Sequence, residues 1–220
     1  MEFVVSDEIR AAAPEYKALI VNAKIENPPT PDALWSALMA EYEHVASTYE
    51  MPMVNKREAI AATRAAYKAC GKEPDRYRPS AEALMRRMVR GLDLYRTLTA
   101  IDLINLLSVE TGHSIGGFDA DAISGDVLTL GIGREGEPYE AIGRGPLNIA
   151  GMPVWRDAVG GIGTPTSDND RTKLSESTRN LLMIINMYGL EAPVEEVEAR
   201  AVELLRQYAA ATDIRVTRVE

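Results

Sequence analysis

Three stretches of the chain carry residues whose types and spacing suit chemistry. The first, GHSIGGFDADAISGD at residues 112–126, combines one histidine, three aspartates and four glycines. It suits a histidine base, a calcium loop or a tight turn. A calcium loop needs oxygen ligands at alternate positions and glycine at the sixth. Counted from Asp119, Asp121 fits, but Ile123 and Ser124 hold the fifth and sixth places. His113 follows a helix-stopping glycine, with no cysteine or serine nucleophile beside it in sequence, so a solvent-exposed loop histidine is expected. The aspartates are expected to cap a short turn through Ala122. Gly116 and Gly117 permit approaches that a side chain forbids.

The second stretch, TPTSDNDRTKLSESTRN at 164–180, places Thr166, Ser167, Asp168, Arg171, Thr172 and Lys173 close together as donors and acceptors. It reads either as one wall of a polar pocket or as a solvated loop in which Ser175 caps a turn. The third is basic. Lys72, Arg76, Arg78, Arg86, Arg87, Arg90 and Arg96 fall within 25 residues, a density that suits phosphate contacts. The alternative is that Arg78 ties a connector to acidic partners while Arg86, Arg87 and Arg90 line a solvated helix face.

Other chemistry is harder to build. Cys70 is the single cysteine and His44 and His113 are the two histidines, so disulfides and Cys/His zinc sites are not expected, and neither metal nor cofactor is assigned. The formal net charge of −9 opposes tight non-specific binding to DNA or RNA at long range. An aromatic content of 6% without basic-aromatic interleaving disfavours base stacking. The opening MEFVVSDEIR lacks a signal-peptide pattern and no apolar run reaches bilayer length, so a cytoplasmic protein without membrane contact is expected.

The elements that must position these residues follow from periodicity. Residues 3–5 and 16–25 read as strands, with Ser6 capping a helical turn between them. After NPPTP, Thr30 is expected to cap a helix carrying Leu34, Leu38, Val45 and Tyr49, with Pro31 at its first position. A second helix over 56–69 stops at Gly71, and the two are expected to form a hairpin. A connector at 72–80 leads to a helix from Ser80. Thr99 with Asp102 resembles a capping pair for the next helix, which Gly112 ends. VLTLGIG, PVWRDAVGGIG and NLLMIINMYG are β-compatible, although an apolar helix could produce the last. Residues 193–211 form an amphipathic C-terminal helix.

Helices dominate the first half and strands the second, which gives an α+β class. The length suits one domain over 1–220, with 1–70 supplying strands and a helical hairpin, 71–190 a core, and 191–220 a helix and tail.

IDLINLLSVETGHSIGGFDADAISGDV resembles the start of the editing domain of the phenylalanyl-tRNA synthetase beta chain. RYRPSAEALMRR and SDNDRTKLSESTRN add to a similarity with its stand-alone relatives, covering roughly residues 60–190. The resemblance implies a layered β/β/α domain that hydrolyses a wrongly attached amino acid from tRNA. Asn105, Phe118 and Asp119 match residues of the resembling segment. Two positions depart from it: Gly116 stands where the synthetase segment has the histidine of HAFD, and Ile162 follows the glycine pair where it has an acid.

The resulting expectation is a stand-alone tRNA-editing-like protein acting on mischarged aminoacyl-tRNA in trans. Its substrate site would draw on Arg78, Asn105, Gly116, Gly117, Asp119 and the six residues of the second stretch, with RNA contacts from Arg76, Arg86, Arg87 and Arg90. A tRNA hydroxyl can assist a placed water, so no side-chain nucleophile is required. The alternatives are a non-catalytic module binding an amino acid, small metabolite or tRNA, and a protein-interaction module using the helical hairpin.

Overall fold

The computed structural model describes residues 1–220. Its strands are β1 (Glu2–Val5), β2 (Lys17–Lys24), β3 (Ser114–Asp119), β4 (Val127–Ile132), β5 (Glu140–Ala141), β6 (Gly145–Pro146), β7 (Pro153–Arg156), β8 (Gly161–Gly163), β9 (Asn180–Met187) and β10 (Thr212–Val219). The helices are α1 (Asp7–Ala12), α2 (Asp32–Thr48), α3 (Met51–Val54), α4 (Glu58–Ala69), α5 (Ser80–Val89), α6 (Thr99–Thr111) and α7 (Val194–Tyr208). One sheet has the order β1-β4-β7-β8 and the other β10-β2-β9-β3, with β5 and β6 forming a small ribbon.

The layering follows from β2 and β9. Leu181, Met183, Ile185 and Met187 face a core shared with α2, α5, α6 and α7. Their alternates Leu182 and Ile184 face the other sheet, packing with Leu128, Leu130 and Trp155. Leu19, Val21 and Ala23 divide from Ala18 and Ile20 in the same way. A strand covered on both faces is apolar at both phases of its pleat, which is why NLLMIINM shows no alternation. The order is therefore sheet, sheet, helices: the expected β/β/α layering of an α+β fold. The two helices expected to form a hairpin are present as α2 and α4, linked through α3, but α2 packs chiefly against α6 and α5. No helix is long and apolar enough to cross a membrane.

Several local expectations are corrected. His113 is fully buried rather than exposed, with no hydrogen-bond partner for either ring nitrogen. Thr30 does not cap α2, whose N-cap is Pro31; its hydroxyl donates to Asp102 Oδ2 at 2.6 Å. Asp102 also accepts from the backbone N–H and the hydroxyl of Thr97, both at 2.9 Å, while Thr99 donates to the Pro28 carbonyl, so Thr99 and Asp102 are not a capping pair. The tail is not loose chain: β10 pairs antiparallel with β2 and closes that sheet. A strand lying along another strand's free edge needs only weak patterning of its own, so its alternation is faint.

One polar group is set between the sheets. Asn186 Oδ1 accepts from Tyr16 Oη at 2.8 Å and from Trp155 Nε1 at 3.0 Å, and its amide donates to the Ser114 carbonyl at 3.2 Å. A buried donor left without an acceptor costs about 1–3 kcal/mol. Asn186→Leu is expected to destabilise the fold by about 3 kcal/mol in urea denaturation, and Tyr16→Phe in the same background to add less than it does alone.

Candidate functional site

The site forms where two sheet edges meet. β3 ends one sheet and β8 the other, and the chain leaving β8 turns at once so that Asp168 pairs back to Gly163. Thr164 builds that turn. Its hydroxyl oxygen accepts the N–H groups of Thr166 and Ser167 at 3.2 and 3.1 Å and donates to the Ser167 carbonyl at 3.0 Å. Tyr67 Oη meets Thr166 Oγ1 at 2.8 Å, and Tyr139 Oη donates to the Ser167 carbonyl at 2.7 Å. The 164–168 segment is thus an anchored part of the fold rather than a solvated loop.

Asp168 is held by glycines. Its Oδ2 accepts the Gly117 N–H at 3.0 Å. A Cβ on Gly116 would lie 3.1 Å from Asp168 Oδ1 and 2.6 Å from the Phe118 ring, and one on Gly163 would lie 3.0 and 2.5 Å from the same groups. On the other face of β3, a Cβ on Gly117 would strike Ile104 at 2.4 Å. Burial pushes the Asp168 carboxyl up to about 7, opposed by the Gly117 hydrogen bond. The residue still presents an edge to the adjoining hollow.

That hollow has a volume of about 260 Å³. Ile101, Ile104, Ile115, Ile142 and Leu174 make its walls, with Asp168, Ser167, Thr164 and Lys173 among its polar groups. Next to it lies a wider groove of about 500 Å³ lined by Arg76, Arg78, Arg86, Arg87, Arg90 and Arg144, with no carboxylate among its lining residues. Ser80, Ile104, Asn105 and Ile115 line both cavities and form the throat between them.

Two devices set the arginines. Glu82 is fully buried and accepts Arg64 at 2.9 Å and Arg86 at 2.7 Å, with Arg78 at 3.9 Å. Arg87 donates to the Asp93 carbonyl at 2.6 Å and lies over the Tyr95 ring, and Arg76 lies over Tyr77. Lys72, the remaining cation of the connector, is buried and donates to the Asn148 and Ala150 carbonyls.

The structure therefore brings together Asn105, Gly117, Ser167, Asp168 and Lys173 at the hollow, and Arg76, Arg78, Arg86, Arg87, Arg90 and Thr166 at the groove. Gly116 stands behind Asp168. Like Gly116, three further residues line neither cavity. Asp119 accepts from Asp121 N–H and Thr178 Oγ1, Arg171 pairs with Asp157, and Thr172 is fully buried. Ser80, Thr164, Ile142 and Arg144 join the lining without a motif of their own; the glycines flanking Arg144 are the one signal of a tight turn there. Cys70 and His113 stand away from the site: burial pushes the Cys70 thiol up to about 11 and the His113 imidazole down to about 4, and neither lines the hollow or the groove.

Comparison with known proteins gives this architecture a relationship. The structure is similar to an N-terminal fragment of the phenylalanyl-tRNA synthetase beta-subunit from Pyrococcus horikoshii, with a TM-score of 0.50 and 12% identity. The match covers 100% of this chain and 54% of the fragment, so the chain spans about half that fragment's length; at this identity the likeness is one of fold. No curated protein matches the sequence. A family model for the B3/4 domain matches residues 62–209, which include both cavities' throat residues and run from within α4 to the end of α7, leaving out the elements before them and β10. The chain belongs to the B3/4 domain family, the type found in the phenylalanyl-tRNA synthetase beta-subunit.

Proposed function

We propose that this domain binds an aminoacyl ester carried on the 3′ end of a tRNA and hydrolyses it in trans. The observation that carries this reading is the change of chemistry across one throat: a small hollow walled by aliphatic side chains opens into a groove whose charged lining residues are all arginines. A hollow of about 260 Å³ falls just below the ~300–1,000 Å³ of drug-sized sites, which suits an amino-acid-sized group. Phosphates suit the groove, because arginine forks pair with phosphate oxygens. The ester joining the two halves then lies at the throat. There the Asn105 amide and the Ser80 hydroxyl line both cavities, where they can orient the ester carbonyl and a water. Attack by that water on the carbonyl carbon, with the vicinal ribose hydroxyl assisting, releases the amino acid and the free tRNA end.

A second reading, a module that binds without turnover, rests on the two departures from the synthetase segment. A histidine at 116 would have to displace the Phe118 ring and Asp168, and Ile162 is wholly buried between the sheets. Deacylation of a panel of mischarged tRNAs separates the two. Turnover supports the esterase; a raised Tm with an aminoacyl ligand and no turnover supports the binder; neither result from folded protein removes both. For the esterase, Asn105→Ala is expected to lower kcat about 100-fold with little change in KM. Arg90→Glu is expected to raise KM about 10-fold with kcat nearly unchanged and a flatter salt dependence.

Asp168 at the hollow's wall adds a pH signature. Below about pH 4 it is protonated in folded and unfolded chains alike. Between the ordinary 3.8 and about 7 the unfolded chain has lost the proton that the native state keeps, so stability falls as pH rises through this window. Asn preserves the acceptor for Gly117 without the charge. Asp168→Asn is therefore expected to gain stability relative to the parent between pH 4 and 7, by on the order of 3 kcal/mol at pH 7.5, measured by urea unfolding across pH. His113 titrates with the opposite sign in both proteins and cancels in the difference.

A further inference from the structure

One turn contributes a residue to each of the two cavities. β5 and β6 are joined by Ile142, Gly143 and Arg144. Arg144 N–H donates to the Ala141 carbonyl at 3.1 Å, and Gly143 has φ +67°, the backbone that a type II turn requires at its third position. The turn is docked by main chain alone: Ala141 bridges Asn169, and Ile142 N–H donates to the Asp168 carbonyl at 3.1 Å. Its position is therefore tied to the residue whose carboxyl closes the hollow, while its side chains bear no structural load.

Those side chains divide between the cavities. Ile142 lines the hollow and is 40% exposed, so its side chain stands between the cavity and solvent. Arg144 lines the groove, is exposed, and pairs with no carboxylate, whereas Arg86 is tied to Glu82. We propose that this turn is a specificity device that reads both halves of the ligand, Ile142 covering the amino acid side chain and Arg144 taking the phosphate nearest the ester. The assignment rests on the aminoacyl-adaptor reading of the site and adds two specificity-determining residues to it. Placing both on one rigid turn sets the spacing between acyl group and phosphate, so a free amino acid or a free nucleotide satisfies half of the device.

The test is a cycle between protein and ligand truncations. The probes are stable amide analogues, leucyl and alanyl 3′-amino-3′-deoxyadenosine, each with and without a 5′-phosphate, with Kd read by calorimetry on the full chain. Ile142→Ala is expected to reduce the leucyl-over-alanyl preference about 10-fold, equally with and without phosphate. Arg144→Gln is expected to reduce the gain from the phosphate about 10-fold, equally for both acyl groups, with Arg144→Lys recovering part of it. Unchanged preferences in either variant, or equal weakening of all four probes, overturns the assignment. Failure of the parent protein to bind any probe overturns the underlying aminoacyl reading instead. Thermal unfolding of each variant checks that the fold is intact.

Discussion

The site depends on one constraint, that nothing larger than hydrogen can occupy three backbone positions around the Asp168 carboxyl. Gly116 and Gly163 leave room for the carboxylate and the Phe118 ring, and Gly117 brings a free edge N–H within 3.0 Å while clearing Ile104 of α6. These contacts join the last strand of one sheet to the last strand of the other. Since β3 is an edge strand, its outward N–H would otherwise face solvent or a foreign strand. The chain covers that edge with its own returning segment, and the cover stops short of the throat, which leaves a cavity at the seam.

Electrostatics arrange the second half of the site. The protein carries a formal charge of −9, yet the groove beside the hollow is lined by arginines and no acids. Much of the remaining basic charge is neutralised in place: Arg57 by Glu191, Arg156 by Glu137, Arg171 by Asp157 and Arg200 by Glu110. Glu82 differs because its buried carboxylate is shared. It ties Arg86, which lines the groove, while Arg64 pairs with the same carboxylate, so one acid supports the fold and fixes a groove side chain. An acidic body with one basic cleft directs an anion to that cleft and repels it elsewhere.

The two departures from the synthetase segment agree with the packing. A side chain at 116 has no space beside Phe118, and the buried Ile162 contributes to the core between the sheets rather than to the hollow. The fold of the B3/4 family is kept while the hollow is lined by aliphatic groups, Asp168 and Lys173. The same scaffold thus carries a cavity whose lining chemistry is set locally.

Local rules in the sequence were enough for the α+β class, the Ser6 cap on α1, the stop of α6 at Gly112 and the amphipathic α7, because each depends on residues within a few positions of one another. The density of arginine between 76 and 90 was equally legible, being a property of contiguous chain. Partners distant in sequence decided the rest. His113 resembles a loop histidine until the helix layer closes over it. Residues 212–219 resemble a tail until β2 offers an edge, and Thr30 resembles a cap until Asp102 arrives from 72 residues away. The stretch 164–180 contains Asp168 and Arg171 three residues apart, with comparable polarity. Only the pairing of Gly163 with Asp168, and of Arg171 with Asp157, turns one toward the hollow and the other away from it. Ser80 was legible as a helix start and Arg144 as part of a glycine-flanked turn, but not as cavity lining, and Ile142 had no signature, since a cavity wall is made by elements meeting and leaves no periodicity in any one of them.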